Sequence, residues 1–195
     1  MNLTIRNNLL LLLGIIILSS AVSCRKGEND PFFSFRSRKA RLLGEWELKS
    51  GTIVTRGGTI TDSTIYDGST YLKYLNSTLV SGTYTHRFNF ERSGSFLEEI
   101  VTDNAIETIE GAWMFSGKNK EANLKSKECV ILLIESDSQY SNGITDITTY
   151  TGTSCPSYVM NLDELRNNKL TIIYDGSISN LSSSVIAGSL SFEKK

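Results

Sequence analysis

The sequence predicts an all-β domain, an antiparallel sandwich or closed barrel of about eight to ten short strands behind a short helix. Three observations predict it. From Gly44 onward, short runs alternate apolar and polar residues at period two, the spacing of a pleated strand with one buried face. Those runs are rich in Thr, Ile, Val, Tyr and Phe, which suit a half-buried pleated surface. Turn residues separate them at Arg56-Gly-Gly, Asp67-Gly, Ser93-Gly, Asp103-Asn, Ser141-Asn-Gly and Asp175-Gly, a punctuation typical of hairpins.

Taken in order, Asp30-Pro31 opens the helix, with Asp as N-cap and Pro at the first helical position. Phe32, Phe33 and Phe35, the basic cluster Arg36–Arg41 and Leu42-Leu43 give it two or three turns, and Gly44 ends it. In the first strand Trp46 and Leu48 alternate with Glu45, Glu47 and Lys49. Further runs cover 59–66, 70–75, 83–91, 95–102, 106–116, 128–135, 144–150, 157–162, 169–174 and 185–192. Val130-Ile-Leu-Leu-Ile134 is apolar on both parities, so both faces of that strand should be covered, the outer one by the helix. Leu162–Arg166 offers a single helical turn, and segments 76–82, 136–143 and 175–184 read as polar loops.

The N-terminus carries a different signal. Arg6 precedes the apolar run Leu9–Leu18, only ten residues long, against the ~20 that a spanning helix needs. Small residues follow, Ser19-Ser-Ala-Val-Ser-Cys24. A basic start, a short apolar stretch and a small-residue cleavage zone define a secretory signal, here residues 1–23. Ala21-Val22-Ser23-Cys24 resembles the lipobox of bacterial lipoproteins, in a form relaxed at Ala21. The resemblance implies that Cys24 receives a diacylglycerol and, after cleavage, a further acyl chain such as palmitate. Two or three chains anchor stably, since each buried methylene contributes roughly 0.8 kcal/mol. The expected organisation is a signal (1–23), a lipidated tether (24–30) and one domain (31–195), placed in the cell envelope on the outer membrane.

Cleavage removes one basic residue, Arg6, from the chain's 20 Lys+Arg and none of its 21 Asp+Glu. The mature chain is therefore slightly acidic, which argues against nucleic acid as a partner. The Arg36–Arg41 cluster reads as a solvated helix face. With Cys24 lipidated, Cys129 and Cys155 remain as a pair that could form a disulfide in an oxidising compartment. One His and no Cys-x-x-Cys leave a metal site or cofactor unsupported.

Gly44-x-Trp46 directly after a short helix, Phe88-x-Phe90 and Gly94-x-Phe96 in a central hairpin, then Gly111-x-Trp113-x-Phe115 and an apolar strand ending at Ile134, form an ordered set. Tyr158–Leu165 then precedes Lys169-Leu-Thr-Ile172. This order resembles the lipocalin-like lipoproteins of Bacteroidota over residues 42–193. The resemblance implies an eight-stranded up-and-down barrel, Trp46 at its closed end packed by the helix, and often a small apolar ligand inside. A C-terminal Arg covers that Trp in the family; only Lys194 and Lys195 stand there in this chain.

Trp46, Phe88, Phe90, Phe96, Trp113 and Phe115 are expected to point inward, as packed core or as ligand lining. Tyr66, Tyr71, Tyr74, Tyr140 and Tyr150 fall near turns and could rim an opening. His86 reads as a surface histidine rather than a catalytic base. Glu98-Glu99 and Glu107/Glu110 read as outward strand charges, and no nucleophile motif such as Gly-x-Ser-x-Gly occurs. Asp62-Ser63-Thr64 resembles an O-glycosylation acceptor of Bacteroidota envelope proteins. No enzyme is expected. Two readings follow: a membrane-anchored barrel binding a small hydrophobic molecule or a glycan, or an accessory lipoprotein with a filled barrel whose loops contact an envelope protein.

Overall fold

A computed structural model describes residues 36–57, 60–75, 78–118, 120, 128–175 and 184–195. The signal segment, Cys24, the tether, Asp30-Pro31 and Phe32, Phe33 and Phe35 lie outside the described residues.

The described chain begins with helix α1, Arg38–Leu42, capped by Ser37, whose hydroxyl accepts from the Ala40 amide at 3.1 Å. Positions 38, 41 and 42 share one helical face, and that face is buried. The basic cluster is therefore split rather than solvated. Arg36 and Lys39 are exposed, while Arg38 and Arg41 are buried.

Eleven strands follow: β1 (Gly44–Gly57), β2 (Ile60–Tyr66), β3 (Thr70–Leu75), β4 (Thr78–Phe90), β5 (Ser95–Thr102), β6 (Ala105–Phe115), β7 (Cys129–Ser141), β8 (Ile144–Thr149), β9 (Ser157–Leu165), β10 (Lys169–Asp175) and β11 (Ser184–Lys194). All pairings are antiparallel, and ten strands close the barrel in the order β1-β2-β3-β4-β5-β6-β7-β9-β10-β11, with β11 returning to β1. β8 stands outside the ring, hairpinned onto the second half of β7.

The barrel has two unequal ends. At one, Gly44–Glu47 of β1 pairs directly with Arg87–Phe90 of β4, so eight strands surround the core. Further along, the β2–β3 hairpin enters between β1 and β4. Barrel diameter grows with strand number, so this end is wider. Here too the edge of β7 that faced β9 up to Leu133 is taken by β8 from Ser136 onward.

The narrow end is solid. Trp46, Leu48, Phe88, Phe90, Phe96, Trp113, Leu132, Met160, Leu162, Leu170, Ile172 and Phe192 form one buried cluster. Phe88 and Phe90 stack with centroids 5.5 Å apart, and Trp113 meets Phe90 edge-on at 5.7 Å, geometries that aromatic quadrupoles favour. Helix α1 plugs this end. Trp46 Nε1 donates to the Leu42 carbonyl at 2.7 Å, Arg41 Nη1 to the Leu165 carbonyl at 2.5 Å, and Lys194 Nζ to the Arg41 carbonyl at 3.0 Å. The same Lys194 ammonium lies 5.0 Å from the Trp46 ring centroid. A lysine thus covers the indole and caps the helix. The helix packs against β9, not over the outer face of β7.

Two strand pairs depart from period two. A bulge between Glu110 and Gly111 of β6 leaves Glu135 of β7 without an opposite residue. Inward parity on β7 therefore changes from Leu132 to Asp137 across it. Leu162–Leu165 continues β9 with a second irregularity instead of turning helically. Most of segments 76–82 and 136–143 is strand, not loop. Those stretches reach past the solid core, so no apolar alternation marks them: Leu79 and Val80 stand exposed on opposite faces of β4, and 136–141 is mostly polar.

Candidate functional site

Above the aromatic floor, the inward positions change character. Strand β4 carries Tyr84-x-His86-x-Phe88-x-Phe90, four side chains of one parity. His86 is thus on the inner face and only 4% exposed. The surface reading of His86 is wrong because residues two apart on a strand share a side. Its ring lies 4.7 Å from Phe88 and 5.2 Å from Phe192, centroid to centroid, so it roofs the apolar core.

His86 Nε2 meets Glu98 Oε1 at 2.7 Å, both groups buried. Tyr158, from β9, donates a short hydrogen bond to the other carboxylate oxygen, Oε2. Tyr84 Oη lies 3.5 Å from His86 Nδ1. Nε2 thus faces the Glu98 carboxyl group and Nδ1 the Tyr84 hydroxyl. Glu98 is therefore an inward, hydrogen-bonded residue, in contrast to the outward one expected. Glu99 is the outward member of that pair, bridged to Arg87 at 3.1 Å.

Neighbouring strands add to the wall. On β6, Glu107 and Ile109 share the inward parity of Trp113, and Glu110 points out. Ile109 pairs with Glu98 on one side and Asp137 on the other. Glu107 is also half-buried and inward, against the expectation. Tyr66 from β2 and Tyr174 from β10 complete the ring of phenols, and Tyr66 packs on Tyr84 at 4.5 Å between centroids.

Burial holds the hydroxyls of Tyr66, Tyr84, Tyr158 and Tyr174 above the usual phenol range, with nearby Glu98 adding to the effect at Tyr84, Tyr158 and Tyr174. They are protonated donors at neutral pH. Burial, then the charges of Asp137 and Glu98, raise the Glu107 carboxyl; His86 opposes them. Replacing Glu107 by Gln should therefore raise the melting temperature at neutral pH. A carboxyl whose folded value lies above its unfolded one loses stability as pH climbs through that interval, and none below it. Melting curves of parent and Glu107→Gln protein should converge in acid and separate at pH 7. A parent equally stable at pH 7 would contradict the placement.

The aromatics expected as lining sit elsewhere. Trp46, Phe88, Phe90, Phe96 and Trp113 are buried in the floor, and Phe115 is half-buried beside Trp113. Tyr74 and Tyr140 are exposed, and Tyr71 donates to Asp103 at 3.3 Å. Cys129 and Cys155 are separate thiols; Cys129 is buried and donates to Asn161 Oδ1 at 2.9 Å. Ser63 lies within β2, paired to Val54 and to Tyr74. Two grooves, of about 230 and 310 Å³, lie on the outer wall; the first is lined by Arg87, Asn89, Leu97, Glu99 and Lys195, among others.

Among the described residues, no group of three or more His, Cys, Asp or Glu is placed to hold a metal ion, and no helix is long and apolar enough to cross a membrane. No family model, curated protein or solved structure matches the chain.

Proposed function

We propose that this chain is a lipocalin-like lipoprotein of the cell envelope, anchored to the outer membrane through Cys24, which binds a small molecule in the wide half of its barrel. One observation carries the reading. Inward side chains of the narrow half other than Phe115 are buried, whereas Tyr66, Tyr84, Glu107, Asp137, Tyr158 and Tyr174, also inward, keep part of their surface in solvent. A filled floor under an accessible, polar upper wall is the form of a binding chamber closed at one end.

Several features support the lipocalin-like part. The strands follow one another around the ring, the first strand carries Trp46, and a short helix covers that residue. Lys194 occupies the place over the indole where the family has Arg. The ligand contacts fall on tyrosines and carboxylates instead of the Phe and Trp side chains of the floor, which favours a polar ligand over a purely apolar one. Binding is favoured over catalysis because Glu98 accepts at both oxygens within the protein and both His86 nitrogens face partners.

A specific observation favours the second reading, a partner protein. Ile144 and Ile147 of β8 are exposed, and β8 has a strand partner on one edge only among the described residues. Such an edge can accept another strand. Native mass spectrometry of the protein purified from its own envelope separates the two. The binding reading expects a small adduct that is lost on denaturation. A bare chain, or a stoichiometric second protein without an adduct, would overturn it. A Cys24→Ala form should leave the membrane fraction; its retention there would contradict the anchor.

A further inference from the structure

We propose that the narrow end of the barrel rests on the anionic phospholipid headgroups of the membrane that holds the anchor, with the wide end turned away. The inference rests on the anchored reading above and adds the surface on which the barrel stands. Charge is unevenly distributed along the barrel axis. Among the described residues, every Lys and Arg except Arg56 and Lys73 lies in the narrow half or in the helical segment that plugs it. The strands and turns of the wide half carry, among other acids, Asp62, Asp103, Glu107, Asp137 and Asp146. The chain as a whole is nearly neutral, with a formal charge of −1. Its two ends therefore differ in sign.

The cations gather where helix α1 and several strand ends meet. Arg36 and Lys39 come from the helical segment, Arg92 from the β4–β5 turn, Lys118 from just beyond β6, Arg166 from the β9–β10 turn and Lys195 from the end of β11; all six are exposed. The strand segments among them adjoin Phe90, Phe115, Leu165 and Phe192 at the floor. Lys39 Nζ stands 5.6 Å from the Trp113 ring centroid, which brings the helix to the same end. Carboxylates are fewer here, and Glu164 is bridged by Arg166 and by Lys169, the latter at 2.7 Å. Burial, then the charge of Arg36, holds the Lys194 ammonium below the usual lysine range, as cations drawn close together do.

A second feature selects a membrane over a soluble polyanion. The chain enters the barrel at this same end, and only residues 25–35 separate Cys24 from Arg36. Fully extended, that tether reaches about 40 Å at ~3.4 Å per residue, so it presents the narrow end to the headgroups first. A basic surface beside a lipid anchor is the pairing that holds peripheral proteins on anionic lipid. In this orientation the acidic wide end faces away from a surface that repels it.

The test uses energy transfer from the chain's two tryptophans, Trp46 and Trp113, both buried in the narrow end. The lipoprotein is reconstituted into vesicles of phosphatidylcholine, or of phosphatidylcholine with one third phosphatidylglycerol, each carrying a dansyl-headgroup acceptor. Quenching of tryptophan emission should be at least two-fold greater on the anionic vesicles and fall to the neutral value in 0.5 M NaCl, which screens exposed charges. Arg92→Glu combined with Lys118→Glu should remove most of the difference. If that variant fails to fold, the salt response of the parent protein decides alone. Equal quenching on the two vesicles overturns the docking and leaves the anchor standing, since an anchored chain floats with either. Flotation with the anionic vesicles alone would remove the anchor and leave the docking.

Discussion

Trp46→Ala is expected to cost the fold about 3–5 kcal/mol, the range for emptying a fully buried aromatic site. Trp46 has no solvent exposure, and its removal does more than leave a void. Its indole N–H holds the Leu42 carbonyl, and its ring lies beneath the Lys194 ammonium that caps Arg41. Two of the three hydrogen bonds described between helix α1 and the barrel pass through that ring or its cover; the third joins Arg41 to the Leu165 carbonyl. The helix should therefore come loose together with the floor. Trp46→Phe keeps a ring but loses the donor, and should cost about 1–3 kcal/mol through the unmatched carbonyl and the smaller volume. Denaturant unfolding gives both values. Equal losses for Phe and Ala would show that the hydrogen bond, not the packing, carries the effect.

Gly111→Ala should be comparably severe, at about 3–5 kcal/mol, by a different route. A Cβ built there lies 1.9 Å from the Leu133 carbonyl oxygen and 3.1 Å from the Glu135 amide nitrogen. Both are backbone atoms, so no side-chain rotation relieves the clash, and the bulge itself must open. Gly117 has nothing within 4 Å of the same construction, and Gly117→Ala should change the midpoint little. Thermal or urea unfolding of the two variants checks the contrast. The functional consequence is sharper than the stability loss. If the bulge is removed, the parity of β7 reverts and Asp137 turns out of the barrel.

Most of the strand positions were legible from the chain, because wherever a strand backs the solid floor its apolar side is unbroken. Trp46-x-Leu48, Phe88-x-Phe90 and Leu170-x-Ile172 are such cases. Legibility fades toward the wide end. There apolar residues no longer keep to one side of a strand, as Leu79 and Val80 of β4 show, or are sparse, as in the second half of β7, so the full lengths of both strands are hidden. The site was mostly hidden for the same reason. His86 and Tyr84 extend the parity of Phe88 and Phe90, so that simple count could have placed them inside. Glu98 follows in the same way from Phe96, and Glu107 from Trp113. Asp137 could not be placed by counting from Leu132, since the bulge that redirects it depends on Gly111, a residue on the neighbouring strand. Tyr158 counts inward from Met160, but its hydrogen bond to Glu98 joins residues 60 apart in sequence. The buried arginines of α1 are hidden because charge alone suggests a solvated helix face, whereas Arg38 and Arg41 share the side that Leu42 buries.

We propose that a ligand occupies the wide half of the barrel and not the outer wall. Two space-filling variants decide it by native mass spectrometry of protein from the envelope. Ile109→Trp fills the inward position between Glu98 and Asp137, while Leu97→Trp fills the outer groove beside Arg87 and Glu99. The adduct should disappear from Ile109→Trp and persist in Leu97→Trp. An adduct kept by Ile109→Trp and lost from Leu97→Trp would contradict the account.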